Sequence, residues 1–403
     1  MRIESIKLKN YKAFRNVHLT NIPAFLVVVG ANGTGKSTLF DVFGFLHDCL
    51  ESNVRQALNA RGRFREVISR GASEKDTIFI EIQYRMEIQY RMEIVDVDRL
   101  VTYTLEIGEN KGNPFVKRES LRYKRGRYGA PYYFLKFENG EGFSITNEED
   151  FNRPDEELDR EASKLGSPDI LALKGLGQFE RFKAASAFRR LIEAWHVSDF
   201  HIESARGRKE ATGDSEHLSE SGENLPRVAQ YVFEQHPLVF EKILQIMTKR
   251  VPGVSKVEPI TTEDGYLTLR FSDSSFTTPF LDRYVSDGTI KMFAYLVLLY
   301  DPAPHPLLCV EEPENQLYPQ LMPELAEEFR LYANRGGQVV VSTHSPDFLN
   351  ACELEEVIWL QKNDGYTEIR RAADDQQIAA YMADGDQMGS LWKQGFFLGA
   401  DPK

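Results

Sequence analysis

Nine consecutive residues restrict this chain more than anything else in it: Gly30-Ala31-Asn32-Gly33-Thr34-Gly35-Lys36-Ser37-Thr38. They follow an uninterrupted apolar run at 25–29, the pattern of a strand buried on both faces. A helical pattern starts near Lys36 and runs to about Leu50. Strand, glycine-rich turn and helix in that order, with the spacing Gly-x4-Gly-Lys-Ser, form a P-loop. The glycines let the backbone N–H groups of Asn32, Gly33, Thr34 and Gly35 turn inward around phosphate oxygens. Lys36 reaches the outer phosphates, the Ser37 hydroxyl ligates Mg²⁺, and Thr38 continues the helix start. The expected ligand is therefore ATP with Mg²⁺, and the expected fold is α/β.

The second half of the sequence has matching punctuation. Apolar strands are expected at 307–310 and 338–342, each preceded by a helical pattern, near 288–300 and 320–333. Alternation of this kind argues for a mostly parallel sheet covered by helices. The strand at 307–310 ends in Glu311 and Glu312, the Walker B arrangement. The first acid supports Mg²⁺, usually through water, and the second polarises the attacking water. Glu311 stands where Asp is commoner; one extra methylene is tolerable if water bridges it to the metal. Glu314 adds a third carboxylate with no assigned role. The strand at 338–342 delivers His344, an imidazole able to contact a γ-phosphate. About 20 residues before the acids, Ser286-Asp287-Gly288-Thr289 opens a helix. Ser286 and Asp287 suit plain N-capping. The same hydroxyl, the close approach that Gly288 permits and the free helix N–H groups also suit a γ-phosphate. Since the P-loop already holds nucleotide in cis, that surface would act on the nucleotide of a second copy.

These motifs and their order resemble the RecF/SMC/OLD branch of ABC ATPases. The opening Ile6-Lys7-Leu8-Lys9-Asn10-Tyr11-Lys12-Ala13-Phe14 looks like the start of that branch, and the resemblance implies that Lys12 lies near the nucleotide. Glu312-Pro313-Glu314-Asn315-Gln316-Leu317-Tyr318-Pro319 and Thr343-His344-Ser345-Pro346 are similar to segments of the small AAA_21 ATPases, as are Leu218–Leu225 and Leu391–Gly395. The likeness covers 1–50 and 215–403. It implies a P-loop NTPase of ABC-ATPase head type, a mixed sheet flanked by helices with an inserted α+β region, and an ATP-dependent homodimer. It also implies a switch that gates a separately encoded effector, in the manner of prokaryotic anti-phage systems. The serine-led signature departs from LSGGQ, as is normal for the branch. No clear Q-loop glutamine follows the P-loop, with Gln56 the nearest candidate, and no heptad run supports a long coiled coil. About sixty residues follow His344, fewer than an appended Toprim domain needs. The triplet Asp384-Gly385-Asp386 reads as a loop rather than a metal site.

Three parts are expected: 1–110 as an N-terminal ATPase lobe, 111–235 as an insertion, and 236–403 as a C-terminal lobe. The hexapeptide Glu-Ile-Gln-Tyr-Arg-Met occurs twice in tandem, at 81–86 and 87–92. Even positions from 78 to 94 are apolar, so this is a period-two strand, and a six-residue duplication keeps every side chain on its face. A bend or projecting hairpin is expected, with 101–107 pairing back. Residues 117–137 mix bases and aromatics. Arg122, Lys124, Arg125 and Arg127 suit nucleic-acid phosphates, or the segment is a solvated hairpin turning near Gly129. Arg206, Arg208 and Lys209 form a weaker basic cluster, and 148–164 leans towards helix. The net charge of −12 means that any DNA contact needs a local basic patch. DNA repair through that patch is the alternative function. Three scattered cysteines, no apolar run near the roughly 18 residues of a membrane span, and no apolar leader at the start lead us to expect a cytoplasmic chain with no membrane partner.

Overall fold

A computed structural model describes residues 2–86, 99–123, 131–148, 157–200, 202–206, 209–210 and 216–400. It divides into two compact units, each built from separated stretches of chain. The first takes Met1–Pro23, Gly30–Trp195 and Trp359–Arg370; the second takes Ala24–Val29, His196–Ile358 and Arg371–Lys403.

The first unit holds an antiparallel sheet of eight strands. Their spatial order is Phe14–Leu19, Arg2–Tyr11, Ile78–Met86, Arg99–Asn110, Asn113–Tyr123, Tyr132–Glu138, Glu141–Ile145 and Arg160–Lys164. The expected period of two holds: Ile78, Ile80, Ile82 and Tyr84 are fully buried on one face. The pairing of that strand with Arg99–Asn110 holds as well, with Ile82 opposite Tyr103. The second copy of the hexapeptide lies outside the described residues. The helix-leaning 148–164 is corrected in part, because Arg160–Lys164 is an edge strand antiparallel to Glu141–Ile145. Local propensity, high for Glu, Ala and Lys, loses there to ladder pairing.

Two helices cover this sheet. Helix Lys36–Glu51 buries Leu39, Phe40, Val42, Phe43, Leu46, Cys49 and Leu50, an i, i+3, i+4, i+7 stripe. It ends where the Ser52 N–H bonds back to the Asp48 carbonyl. Helix Lys183–Glu193 presents Phe188, stacked on Tyr84 at 4.5 Å and tilted on Tyr103 at 4.8 Å. Removing that ring by Phe188→Ala would cost about 3–5 kcal/mol.

Glu119 is wholly buried on the sheet and caps the helix Ala172–Leu176. Its carboxyl group accepts from the N–H groups of Ala172 (2.5 Å) and Leu173 (3.0 Å) and from the Tyr103 hydroxyl (3.1 Å). Burial outweighs these donors and pushes its pKa from an ordinary 4.5 up to about 7. The folded state therefore holds an extra proton between those values. This contribution is fully present below pH 4.5 and is lost as pH rises through about 7. It amounts to roughly 3 kcal/mol. Denaturant unfolding at pH 5 and pH 7.5 should show wild type losing more stability than Glu119→Gln over that interval. Equal slopes would contradict the assignment.

The second unit is built on four parallel strands in the order His196–Ser198, Leu307–Glu311, Gln338–Thr343, Phe25–Gly30. Every residue of the last two is buried, as a doubly covered parallel sheet demands. Helix Asp287–Leu299 is buried from Ile290 to Leu299, and Met322–Asn334 buries Leu325, Ala326, Phe329 and Tyr332. A smaller antiparallel sheet joins Lys209–Glu210, Tyr266–Asp273 and Val254–Thr261, with Phe280–Leu281 beside the middle strand. Helices Leu225–Gln235 and Pro237–Arg250 follow one another in this unit, and Arg250 pairs with Glu327 and Glu328.

Candidate nucleotide site

In the first unit the phosphate loop has the geometry its glycines were expected to allow. Gly33 and Gly35 sit at φ +78° and +107°, backbone that L side chains rarely adopt. Gly35 is the N-cap of helix Lys36–Glu51, so the helix's free N–H groups open onto the loop. A Cβ on Gly30 would stand 2.5 Å from the Thr34 hydroxyl and 2.9 Å from the Leu360 carbonyl, so Gly30 is sterically required. Asn32, Gly33 and Ser37 are exposed, and Thr34 and Lys36 are buried. The Lys36 ammonium donates to the Gly30 carbonyl at 2.9 Å, folded back across the loop. The Thr34 hydroxyl donates to the Ala31 carbonyl at 2.8 Å.

Two supports of this loop have no motif. Thr367 donates its hydroxyl to the Thr34 carbonyl at 2.6 Å and its N–H to the Ala13 carbonyl at 2.9 Å. Nothing in the sequence marks it. Lys12, at φ +48°, forms an ion pair of 2.5 Å with Asp41, which also accepts from Tyr11 (2.6 Å) and Arg61 (2.6 Å). Burial raises the Asp41 carboxyl, but the Lys12 and Tyr11 hydrogen bonds and the Arg61 charge outweigh it and hold it below its ordinary value. The next residues, Ala13 and Phe14, lie 3.7 and 3.6 Å from where a Cβ on Gly35 would be. Lys12 is thus adjacent in sequence to the segment that backs the loop.

In the second unit the carboxyl ends of the parallel strands carry the other chemistry. Glu311 is opposite Ser342, and Val29 is opposite Thr343. Strand Phe25–Gly30 ends on the first glycine of the loop. Ligands of open α/β sheets bind outside such strand ends. Glu312 sits at φ +41°, strained for a side-chain-bearing residue, and its N–H bonds to the Ser342 carbonyl at 3.0 Å. Its carboxylate accepts from the Asn315 amide at 3.1 Å, and His344 Nε2 lies 3.2 Å from its other oxygen. Glu314, unassigned from sequence, accepts the His344 backbone N–H, and burial raises its carboxyl pKa.

Ser286 caps helix Asp287–Leu299, accepting from the Thr289 N–H at 3.3 Å. The Gly288 backbone lies close to the Gln316 carbonyl, which a Cβ would meet at 3.2 Å. Two cations fix this segment. Arg206 donates to the Val285 carbonyl at 2.7 Å and pairs with Asp287. Arg206 is therefore engaged by protein. Lys291 is 3 % exposed and donates to the Asn315 carbonyl at 2.8 Å. Burial lowers its pKa to about 8, although Glu314, Asp199 and Glu312 pull it up. It joins the signature helix to the segment that orients Glu312. A charged residue within the otherwise apolar 290–299 was the signal that could have found it.

The basic-aromatic stretch is less available than its composition suggested. Lys117 pairs with Glu106 (2.7 Å), Arg122 with Glu81 (3.6 Å), Arg118 and Lys136 with Glu138 (3.8 and 3.5 Å). Lys124, Arg125, Arg127, Arg208 and the proposed turn at Gly129 lie outside the described residues. Asp384 and Gly385 close the helix Gln376–Ala383 in a turn. No helix among the described residues is long and apolar enough to cross a membrane.

A family model described as "AAA domain, putative AbiEii toxin, Type IV TA system" (AAA_21) matches residues 25–350. Among solved structures, an SMC head bound to the C-winged helix domain of ScpA matches with a TM-score of 0.55 at 14 % identity, covering 92 % of this chain and 98 % of that one. An SMC head with an extended coiled coil from Pyrococcus furiosus, bound to the C-terminal domain of ScpA, gives 0.49 at 14 % identity over 95 % and 99 %. One from Thermotoga maritima gives 0.44 at 11 % over 92 % and 99 %. At 14 % identity the first likeness is one of fold. No curated protein matches. The fold is thus that of an SMC-head, ABC-type P-loop ATPase, the mixed α/β architecture expected from the motifs.

Proposed function

The chain belongs to the AAA_21 family of AAA-domain proteins, and from that premise we propose that it binds and hydrolyses ATP as a nucleotide-sandwich homodimer that switches a partner effector. The observation that carries this reading is the Glu312 carboxylate. It accepts from Asn315, with His344 Nε2 3.2 Å away, at the end of a parallel sheet in which another strand, Phe25–Gly30, ends on the first glycine of the P-loop.

Asn32, Gly33, Thr34 and Gly35 turn N–H groups onto the phosphates, with Thr38 in the helix start behind them. Lys36 leaves the Gly30 carbonyl for the outer phosphates. Ser37 and Glu311 are oxygen donors, the set that Mg²⁺ takes. A Mg²⁺ ion held by these two residues would neutralise charge developing on the phosphate oxygens. Glu312 accepts a proton from the attacking water, its aim fixed by Asn315 and its strained backbone. His344 steadies the γ-phosphate, and Lys12 stands behind the loop. Ser286 and Gly288 of one copy close on the nucleotide of the other, and hydrolysis reopens the pair. The family's description, a putative AbiEii toxin of type IV toxin–antitoxin systems, supports a role in prokaryotic defence.

Arg206→Ala should expose the difference between binding and turnover. Loss of a charge-assisted clamp on the signature segment is expected to lower turnover about tenfold while ATP affinity stays within about twofold. Equal turnover in the variant would remove Ser286 from the chemistry.

Steady-state hydrolysis of ATP with and without duplex DNA tests the proposal. Turnover should need Mg²⁺, rise more steeply than linearly with protein concentration, and be indifferent to DNA, since the described cations of the basic stretch already face carboxylates. Strong stimulation by DNA, lost when Arg122, Lys124, Arg125 and Arg127 become alanine, would favour a DNA-repair ATPase instead.

A further inference from the structure

At the amino end of the Walker B strand, outside the nucleotide chemistry, the second unit gathers three histidines and an aspartate. The connection from helix Asp287–Leu299 to strand Leu307–Glu311 reads Asp301-Pro302-Ala303-Pro304-His305-Pro306. Alternate prolines fix φ along it, so Asp301 and His305 are presented by a stiff rod. The Tyr332 hydroxyl pins the rod by donating to the His305 carbonyl at 2.5 Å. Asp301 is oriented as well: Oδ1 accepts the Ala303 N–H at 2.8 Å, which leaves Oδ2 facing His217 Nδ1 at 2.7 Å. The His217 backbone is tied by the Asn224 amide, which donates to its carbonyl at 2.9 Å. His196, at the start of the adjacent strand, stacks on the His305 ring at 4.8 Å, and the His217 ring stands 5.0 Å from His305.

We infer that His217, Asp301 and His305 hold a zinc ion, with water in the fourth position. One donor atom from each lies within 4.8 Å of the others. Tetrahedral Zn²⁺ at about 2.0–2.1 Å from its ligands needs donors roughly 3.3 Å apart. The His217 side chain, 43 % exposed, has room to adjust, whereas Asp301 is 4 % exposed and set. Two imidazoles and one carboxylate select zinc-like ions over Mg²⁺ or Ca²⁺, which prefer all-oxygen shells. The Ala303 N–H on the second oxygen of Asp301 is the outer-shell contact that orients a ligating carboxylate. Strand geometry puts the site roughly 20 Å from Glu311 along the chain. Its work is therefore to staple the His217 segment to the rod that anchors the Walker B strand.

The test uses the full chain, stripped with EDTA and titrated with ZnCl₂ or CoCl₂. One equivalent of zinc per chain should bind and raise the melting temperature, and cobalt should give the visible absorption of a tetrahedral site. His217→Ala and His305→Ala should each weaken zinc binding by about 100-fold or more, and Lys36→Ala should bind zinc as wild type does. His217 is exposed, so its variant should melt like wild type in EDTA, and it carries the test by itself if His305→Ala does not fold. Absence of zinc binding in wild type, or unchanged binding in His217→Ala, overturns the site.

Discussion

Lys36→Met is expected to weaken ATP binding by at least about 30-fold while leaving the fold intact. The methionine keeps the buried stem of a residue that is 6 % exposed, so packing is conserved. What is lost is the ammonium that leaves the Gly30 carbonyl, 2.9 Å away, for the phosphates. A charge-assisted contact to phosphate is worth several neutral hydrogen bonds once desolvated. Truncating such a partner costs about 2–5 kcal/mol, which corresponds to a loss of affinity of about 30-fold to several thousand-fold. Calorimetric titration with a non-hydrolysable ATP analogue measures it. Binding within threefold of wild type would mean that Lys36 stays on Gly30 and that another cation holds the phosphates.

Glu312→Gln is expected to separate binding from chemistry. The amide has the shape of the carboxylate and keeps an oxygen for the Asn315 amide, now at 3.1 Å. It cannot take a proton from water. Removing a general base typically costs about 10²–10⁴ in rate, so turnover should fall by that factor with affinity unchanged or tighter. Asn315→Ala gives the converse check. It leaves the carboxylate but removes the donor that aims it, and turnover should fall by a smaller factor. If Glu312→Gln hydrolyses ATP at the wild-type rate, the water is activated elsewhere, and Glu314 becomes the residue to examine.

The parts of this site that were legible in sequence are those whose chemistry is contiguous. Gly30–Thr38 can be read directly because the loop's backbone path, its lysine and its serine are all local. Glu311, Glu312 and His344 are legible because each ends a strand, and strand ends of a parallel sheet share an edge. Thr367 was not legible. It reaches the Thr34 carbonyl across 333 positions, and a threonine in an alternating strand carries no mark of that contact. Glu119 shows the same limit: its partners Ala172 and Leu173 offer backbone N–H groups, which no side-chain motif encodes. Arg206 stood out only as part of a weak basic cluster, because charge is visible in a sequence and pairing is not. Its partners, Val285 and Asp287, come some 80 residues later. Arg160–Lys164 went to a strand against its composition for a related reason, since the edge it completes is made by residues 141–145.

Sedimentation velocity of Glu312→Gln, with and without saturating ATP and Mg²⁺, tests the sandwich dimer most directly. A chain of 46.2 kDa should sediment as a monomer without nucleotide or with ADP, and as a dimer with ATP. Adding Ser286→Arg, which places a bulky cation on the surface proposed to close on the other copy's nucleotide, should return it to monomer without weakening ATP binding. A Glu312→Gln protein that binds ATP and remains monomeric would contradict the shared-nucleotide dimer and leave a P-loop ATPase that works alone.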